Sequence, residues 1–236
     1  MASLKPDRTA ALGTATGALA PRLAERGWSG EVDLAGSAAL TLYLAHRPVR
    51  DLDFMAAANR LTGPKRRDLL ADLVDLDDFE VETARDGFLY ARHASGVALR
   101  FFHYPYPLVE PEERFAGLAV ASPVDLGLMK LAAIISRGTR RDFVDLFFLT
   151  RHLPLDELLE RSVDKFGHVR DFPLQALKAL ADLSLVEGEP MPRLAEPHAR
   201  EVEWEAIEEW LAREVCRLGR RAVGLDAAPT EGSADR

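Results

Sequence analysis

Residues able to do chemistry cluster early in this chain. Gly36-Ser37 is followed, after thirteen residues, by Asp51-Leu52-Asp53. The apolar run Val32-Asp33-Leu34-Ala35 predicts a strand and Ser37 to Ala45 a helix, which puts the Gly-Ser pair at a strand-to-helix turn. Glycine there lets an anion approach the backbone. The free N–H groups and positive dipole end of the helix favour negative charge, and the Ser37 hydroxyl adds a rotatable donor. Asp51-Leu52-Asp53-Phe54 predicts a second strand, and residues two apart share a face, so both carboxylates project one way while Leu52 and Phe54 face the core. Two such carboxylates repel unless a cation lies between them, and Mg2+ suits a site that leaves positions for phosphates and water. The layout is one for a metal-bound triphosphate. Alone, a Gly-Ser turn is an ordinary helix cap and an Asp-x-Asp an ordinary strand end; order and spacing together make the pattern specific.

A second group lies between Lys130 and Asp145. Ser122-Pro123-Val124-Asp125 has the residues of a helix start, with a Ser cap, a proline in the first turn and an acid three residues after the cap. The helix continues to about Ser136, with Leu128, Leu131, Ala132 and Ile135 on one face and Lys130 on another. Gly138 breaks it, and Arg140 to His152 predicts the next helix. On that helix Arg141 and Asp145 are four apart and Asp142 and Asp145 three apart. Taken alone they form an exposed i,i+4 pair worth roughly 0.3–0.5 kcal/mol.

The segment LAGSAALTLYLAHRPVRDLDF, Leu34 to Phe54, resembles the first motif of the nucleotidyltransferase superfamily with the DNA polymerase beta-like fold, in the version carried by the AbiEii/AbiGii toxin family. The stretch from Lys130 through Arg137, Arg140, Arg141, Asp142 and Asp145 resembles that family's second signature. The resemblance spans about Leu34 to Leu149, with the flanks matching only in general character. It implies that Gly36, Ser37, Lys130 and Arg141 bind nucleotide and that Asp51 and Asp53 hold Mg2+, with Mn2+ as the alternative ion. It further implies a catalytic set of Asp51, Asp53, Lys130, Asp142 and Asp145. The implied activity is transfer of NMP from an NTP, with release of pyrophosphate, by a toxin of a type IV toxin-antitoxin or phage-defence system. Its acceptor would be RNA (tRNA) or protein, and its partner a separately encoded antitoxin.

One position departs from the superfamily pattern. A third carboxylate is expected on a later strand, and in the best candidate, Gly96 to Tyr104, its slot holds Arg100, which neither takes a proton nor binds a metal. Another acid, Asp142 or Asp145, substitutes; or Arg100 binds phosphate or nucleic acid; or catalysis is lost, leaving a non-catalytic nucleotide- or protein-binding module on the same fold. Tyr104 and Tyr106 beside this strand could stack on a base, or pack the core.

These residues need a scaffold. The expected fold is α+β: a nucleotidyltransferase-type mixed β-sheet flanked by helices over 1–121, a helical subdomain completing the cleft over 122–225, and a disordered tail at 226–236. Pro6 to Arg26 and Pro64 to Leu76 predict helices in the first unit, and Phe79–Thr83, Gly87–His93 and Gly96–Tyr104 predict antiparallel strands. Pro154–Phe166, Pro173–Leu183 and Glu201–Leu218 predict helices in the second.

The composition, 47% hydrophobic and 29% charged over 236 residues, is that of an ordinary globular protein. A net charge of −8 argues against indiscriminate nucleic-acid binding, although Lys65-Arg66-Arg67, Arg137/Arg140/Arg141 and Arg217/Arg220/Arg221 are basic clusters. The single cysteine, Cys216, excludes an intrachain disulfide and a cysteine-based zinc site. No apolar run approaches the roughly 20 residues of a membrane span, and Met1 to Ala10 lacks a signal-peptide pattern, so the expected location is the cytoplasm, with no membrane partner.

Overall fold

The computed structural model of the protein describes residues 12–76 and 78–222. Its elements are α1 (Thr14–Ala24), β1 (Asp33–Ala35), α2 (Gly36–Leu44), β2 (Asp51–Ala56), α3 (Gly63–Asp75), β3 (Phe79–Arg85), β4 (Phe88–His93), β5 (Ala98–His103), β6 (Glu113–Phe115) and β7 (Leu118–Val120). Helices follow: α4 (Pro123–Ser136), α5 (Arg140–Thr150), α6 (Leu155–Phe166), α7 (Phe172–Ala181), α8 (His198–Glu201) and α9 (Trp204–Ala222). The fold is α+β, with a mixed sheet flanked by helices and a helical C-terminal part.

Among the described residues the sheet has seven strands in the order β3-β4-β5-β2-β1-β7-β6. β2 pairs parallel with β5 and β1 parallel with β7, while β1–β2, β3–β4, β4–β5 and β6–β7 are antiparallel. The central position of β2 fixes the site, because its register sets Asp53 beside Ala35 on one side and Arg100 on the other. Pleating then divides the sheet. Leu52, Phe54, Leu99 and Phe101 are buried on one face, where the Phe54 and Phe101 rings stack at 5.0 Å and Trp28 packs edge-on against both. Asp51, Asp53 and Arg100 project from the other.

The leading helix expected from Pro6 is described only from Leu12 on, and its regular part is α1. The tail expected at 226–236 lies outside the described residues. β6 and β7 were not expected: at three residues each they are too short to show an alternation pattern, and pairing with β1 defines β7. Tyr104 and Tyr106 pack inward. Tyr106 stacks on His168, meets Phe166 edge-on and tilts against Tyr104.

α4 is the central helix of the second half, packed against α2, α5, α6 and α7. Gly127 permits this approach, since a side-chain carbon there would lie 2.7 Å from Leu158 and 2.9 Å from Leu149. At its start the Ser122 hydroxyl caps the Asp125 N–H at 3.0 Å, as the sequence implied. Asp125 itself is turned inward, where it accepts from Lys165 Nζ at 2.7 Å and from the backbone N–H groups of Val109 and Glu110. Asp125 and Lys165 are both fully buried, so one carboxylate ties the sheet's exit segment to α4 and α6. No described helix is long and apolar enough to cross a membrane.

Removing one partner of a buried ion pair strands the other. We therefore expect Asp125→Ala to cost about 3–5 kcal/mol in urea denaturation, and adding Lys165→Met to recover part of that loss. Equal stability of Asp125→Ala and the native chain would remove this pair from the account.

Candidate active site

The Gly36 turn is held open by its own geometry. Gly36 has φ +62°, and a side-chain carbon on it would sit 2.5 Å from Asp53 Oδ2, so the backbone at the start of α2 lies directly against that carboxylate. Ala35, in the N-cap position of α2, supplies no side-chain acceptor, and the first-turn N–H groups remain available to an anion. The Ser37 hydroxyl is used from below: it donates to Asp145 Oδ2 at 3.0 Å and accepts from Arg47 Nη2 and, at 3.5 Å, from Lys130 Nζ.

Asp145 is the hub of this layer. Its Oδ1 accepts from Arg47 Nε at 2.6 Å and from His46 Nε2 at 2.7 Å, and its Oδ2 from Arg47 Nη2 at 3.0 Å, from Ser37 and from Lys130 Nζ at 2.7 Å. Burial alone would raise its pKa, but Lys130, Arg47 and His46 outweigh burial and hold the carboxyl well below the usual range. An ionised carboxylate only accepts, so His46, kept neutral by burial, carries its hydrogen on Nε2. Its Nδ1 has no partner. Asp142 closes the cluster, accepting from Lys130 Nζ at 2.9 Å and from the Thr139 hydroxyl at 2.7 Å in a capping box at the start of α5. Burial works against its charge as well, and Lys130 and Thr139 prevail to lower its pKa. Two acids and two permanent cations thus neutralise one another in a nearly dry layer.

The exposed Arg141–Asp145 pair that helical spacing allows does not form. Asp145 is 0% exposed and faces α2, and Arg141 is exposed on the cleft wall. Nor is Asp145 open to a metal, since a carboxylate offers about four lone-pair sites and this one meets five donor atoms. His46 and Arg47 were missed by sequence reasoning, which gave them no role. The only signal for them was an acid at an inward helical position, needing partners that spacing could not name.

Above this layer lies a cleft of 770 Å³ lined by Gly36, Ser37, Asp51, Asp53, Lys130 and Asp142 among others. Arg47, Arg50, Arg100, Arg137, Arg141 and Arg193 also line it, so cations outnumber acids on its wall although the whole chain is acidic. Arg193 arrives on the connection between α7 and α8, which is pinned by the Ala195 N–H donating to the His46 carbonyl at 2.9 Å. The other two basic clusters are used elsewhere. Lys65 pairs with Glu31, and Arg217 and Arg221 pair with Asp156. A second cavity, of 280 Å³, opens on the opposite face of the sheet between Trp28, Phe54, Phe101 and α3, away from the paired carboxylates.

Arg100, at the position where the resemblance led us to expect a third acid, turns toward Asp51 and Asp53. Its Nη2 lies 2.5 Å from Asp51 Oδ2 and its Nε 3.1 Å from Asp53 Oδ1. The second contact is an ion pair without hydrogen-bond alignment, and Asp53 Oδ1 is otherwise unpartnered. Burial raises the Asp53 pKa, with Arg100 opposing and Asp51 adding to it. Among the described residues no three His, Cys, Asp or Glu side chains converge where they could hold a metal ion. A pair of carboxylates with an under-coordinated oxygen still fits Mg2+ of the kind that takes its remaining ligands from substrate phosphates and water.

No family model matches the chain. Over 196 residues it is 31% identical to the uncharacterized protein aq_aa25 of Aquifex aeolicus, covering 77% of this chain and 85% of that protein. Among solved structures, it overlays a Helicobacter pylori protein described as a candidate nucleotidyltransferase with a TM-score of 0.51 and 18% identity, across 89% of this chain and 94% of that one. The nucleotidyltransferase toxin MenT4 of Mycobacterium tuberculosis overlays at a TM-score of 0.48 and 19% identity, across 92% and 90%. The H. pylori likeness shows a fold of nucleotidyltransferase type.

The buried layer generates a prediction with a definite pH dependence. Asp145→Asn should cost about 3–5 kcal/mol at pH 7. The folded-state pKa of Asp145 is depressed, so its stabilisation is present above the unfolded value of about 3.9 and fades as pH falls below it. Urea titrations at pH 7 and pH 3 should therefore show the gap between native and variant chains narrowing; a gap that is constant or below 1 kcal/mol would refute the hub role.

Proposed function

We propose that this chain, which belongs to the same family as the A. aeolicus protein aq_aa25, is a metal-dependent nucleotidyltransferase acting on an NTP. The observation that carries this reading is the contact between the Gly36 backbone and Asp53 Oδ2, which puts an anion-binding turn and a metal-binding carboxylate at one point. A triphosphate there would accept from the first-turn N–H groups of α2 while Asp51 and Asp53 hold Mg2+, or Mn2+, against its oxygens. The ion, when bound, neutralises charge on the triphosphate and stabilises the departing pyrophosphate.

The chain's own groups do the rest. An acceptor hydroxyl attacks the α-phosphorus and releases its proton to solvent in the open cleft, the bond from that phosphorus to the bridging oxygen breaks, and pyrophosphate leaves. Chemistry of this kind needs positioning and charge stabilisation more than a covalent intermediate. Arg141, Arg137 and Arg193 supply positive potential along the cleft wall, and Lys130, with its charge divided between Asp142 and Asp145, positions Ser37 from beneath. Asp142 and Asp145 are then positioning residues. The division of labour follows a boundary near 121/122, with residues 1–121 supplying the turn and the acid pair and residues 122–225 the opposite wall.

The motifs at Leu34–Phe54 and Lys130–Asp145 support a finer reading: an AbiEii-like toxin of a type IV toxin-antitoxin or phage-defence system, working in the cytoplasm beside a separately encoded antitoxin. RNA, tRNA included, is the acceptor favoured by the arginine-lined wall, and a protein hydroxyl is the other. A non-catalytic binding module is the second reading, and Arg100 favours it by pairing with both acids.

Incubation with Mg2+, each labelled NTP and total bacterial RNA decides between them. We expect label on RNA, reduced at least ~10²-fold by Asp53→Asn, the scale of losing one electrostatic stabiliser. Arg141→Ala should leave the fold intact and weaken nucleotide or acceptor binding several-fold, with a shallower salt dependence. No transfer to RNA or protein, with NTP still bound, would select the non-catalytic module.

A further inference from the structure

We propose that the Arg100 guanidinium stands in for one of the two cations of a two-metal site, so that the chain binds its nucleotide with a single divalent ion. This rests on the nucleotidyltransferase reading above and concerns how many ions that site holds.

Three observations carry it. First, the guanidinium reaches both acids, with Nη2 on Asp51 Oδ2 and Nε beside Asp53 Oδ1. It lies where a cation shared by the two carboxylates would lie. Second, it pairs with Asp53 through Oδ1 and leaves Oδ2 without a cation. Asp53 Oδ2 is the oxygen beside Gly36, so the uncompensated side of the acid pair is the one next to the turn that would hold phosphate. Third, among the described residues no further acid of the cleft is free for a second ion. Asp145 is saturated by His46, Arg47, Ser37 and Lys130, and Asp142 is bound to Lys130 and Thr139.

Charge counting agrees. Asp51, Asp53 and Arg100 sum to −1, which one divalent ion overbalances by a single charge that the triphosphate absorbs. Two metal ions in such sites lie about 3.5–4 Å apart. A second dication at that spacing would meet a guanidinium that cannot give up its proton, in a place where the third carboxylate would otherwise neutralise it. The arginine is positioned for this by the sheet itself, because the parallel register of β2 and β5 sets Arg100 directly opposite Asp53. Arg100 lies on the cleft wall, so its exchange for another polar side chain does not open the core.

The test counts ions and needs no turnover. The full chain is equilibrated by dialysis with Mn2+ and a non-hydrolysable α,β-methylene NTP, and bound Mn2+ is measured per bound nucleotide by electron paramagnetic resonance. We expect one Mn2+ per nucleotide in the native chain and two in Arg100→Glu, which restores the third acid. Arg100→Gln, which removes the charge and retains most of the volume, should bind its Mn2+ about tenfold more tightly than the native chain, since a competing cation has gone. Two Mn2+ per nucleotide in the native chain, or unchanged counts and affinity in both variants, would overturn the proposal while leaving the nucleotidyltransferase reading in place. Absence of both nucleotide and Mn2+ binding in the native chain would instead overturn that reading, and this inference with it.

Discussion

The arrangement depends on one fully buried carboxylate. Asp145, on α5, accepts from Arg47 and His46 in the loop after α2, from Ser37 in the first turn of α2, and from Lys130 on α4. Each contact ties a different piece of chain to the same two oxygens. A carboxylate without those donors would be untenable at that depth, and the buried Arg47 without it would lose its ion-pair partner. The start of α2, the loop after it, α4 and α5 are therefore held together at one point beneath the cleft. The Ala195 N–H bond to His46 adds the α7–α8 connection to the same assembly and brings Arg193 to the rim.

Above the lock, the site is governed by close approach. Only glycine fits at position 36, both for its positive φ and for the Asp53 oxygen beside it. Where the layer below is charge-balanced and buried, the cleft is open to solvent and its wall is mostly cationic. These differences separate two kinds of group: buried ones that fix one another's positions and exposed ones that give the cleft wall its positive charge. Arg100 belongs to both regimes, since it pairs with both acids and also lines the cleft.

Much of this was legible along the chain. Strand pleating assigned Asp51 and Asp53 to one face and Leu52 and Phe54 to the other, and the structure has that division. The Ser122 cap, the break at Gly138 and the helices of the second half followed from local chemistry and 3.6-residue periodicity, and they appear within a few residues of where they were expected. Local rules failed where the partner was distant. Arg141 is four residues from Asp145, the right spacing for a surface pair, yet Asp145 points to Arg47, 98 residues away. β6 and β7 gave no pattern because three residues are too few, and their strand character comes from a neighbour.

The sequence by itself determined the elements and the side chains that each presents, because strand and helix periods are properties of the local backbone. It also put an arginine, Arg100, where the resemblance led us to expect a third acid. Only the tertiary structure decided what those side chains would meet: that Asp145 would be a buried hub, that Lys130 would spend its charge on two carboxylates, and that Arg100 would turn onto Asp51 and Asp53. Ion-pair partners are set by strand register, helix packing and the cost of burying a charge alone, and those act between residues whose separation along the chain carries no information about their separation in space.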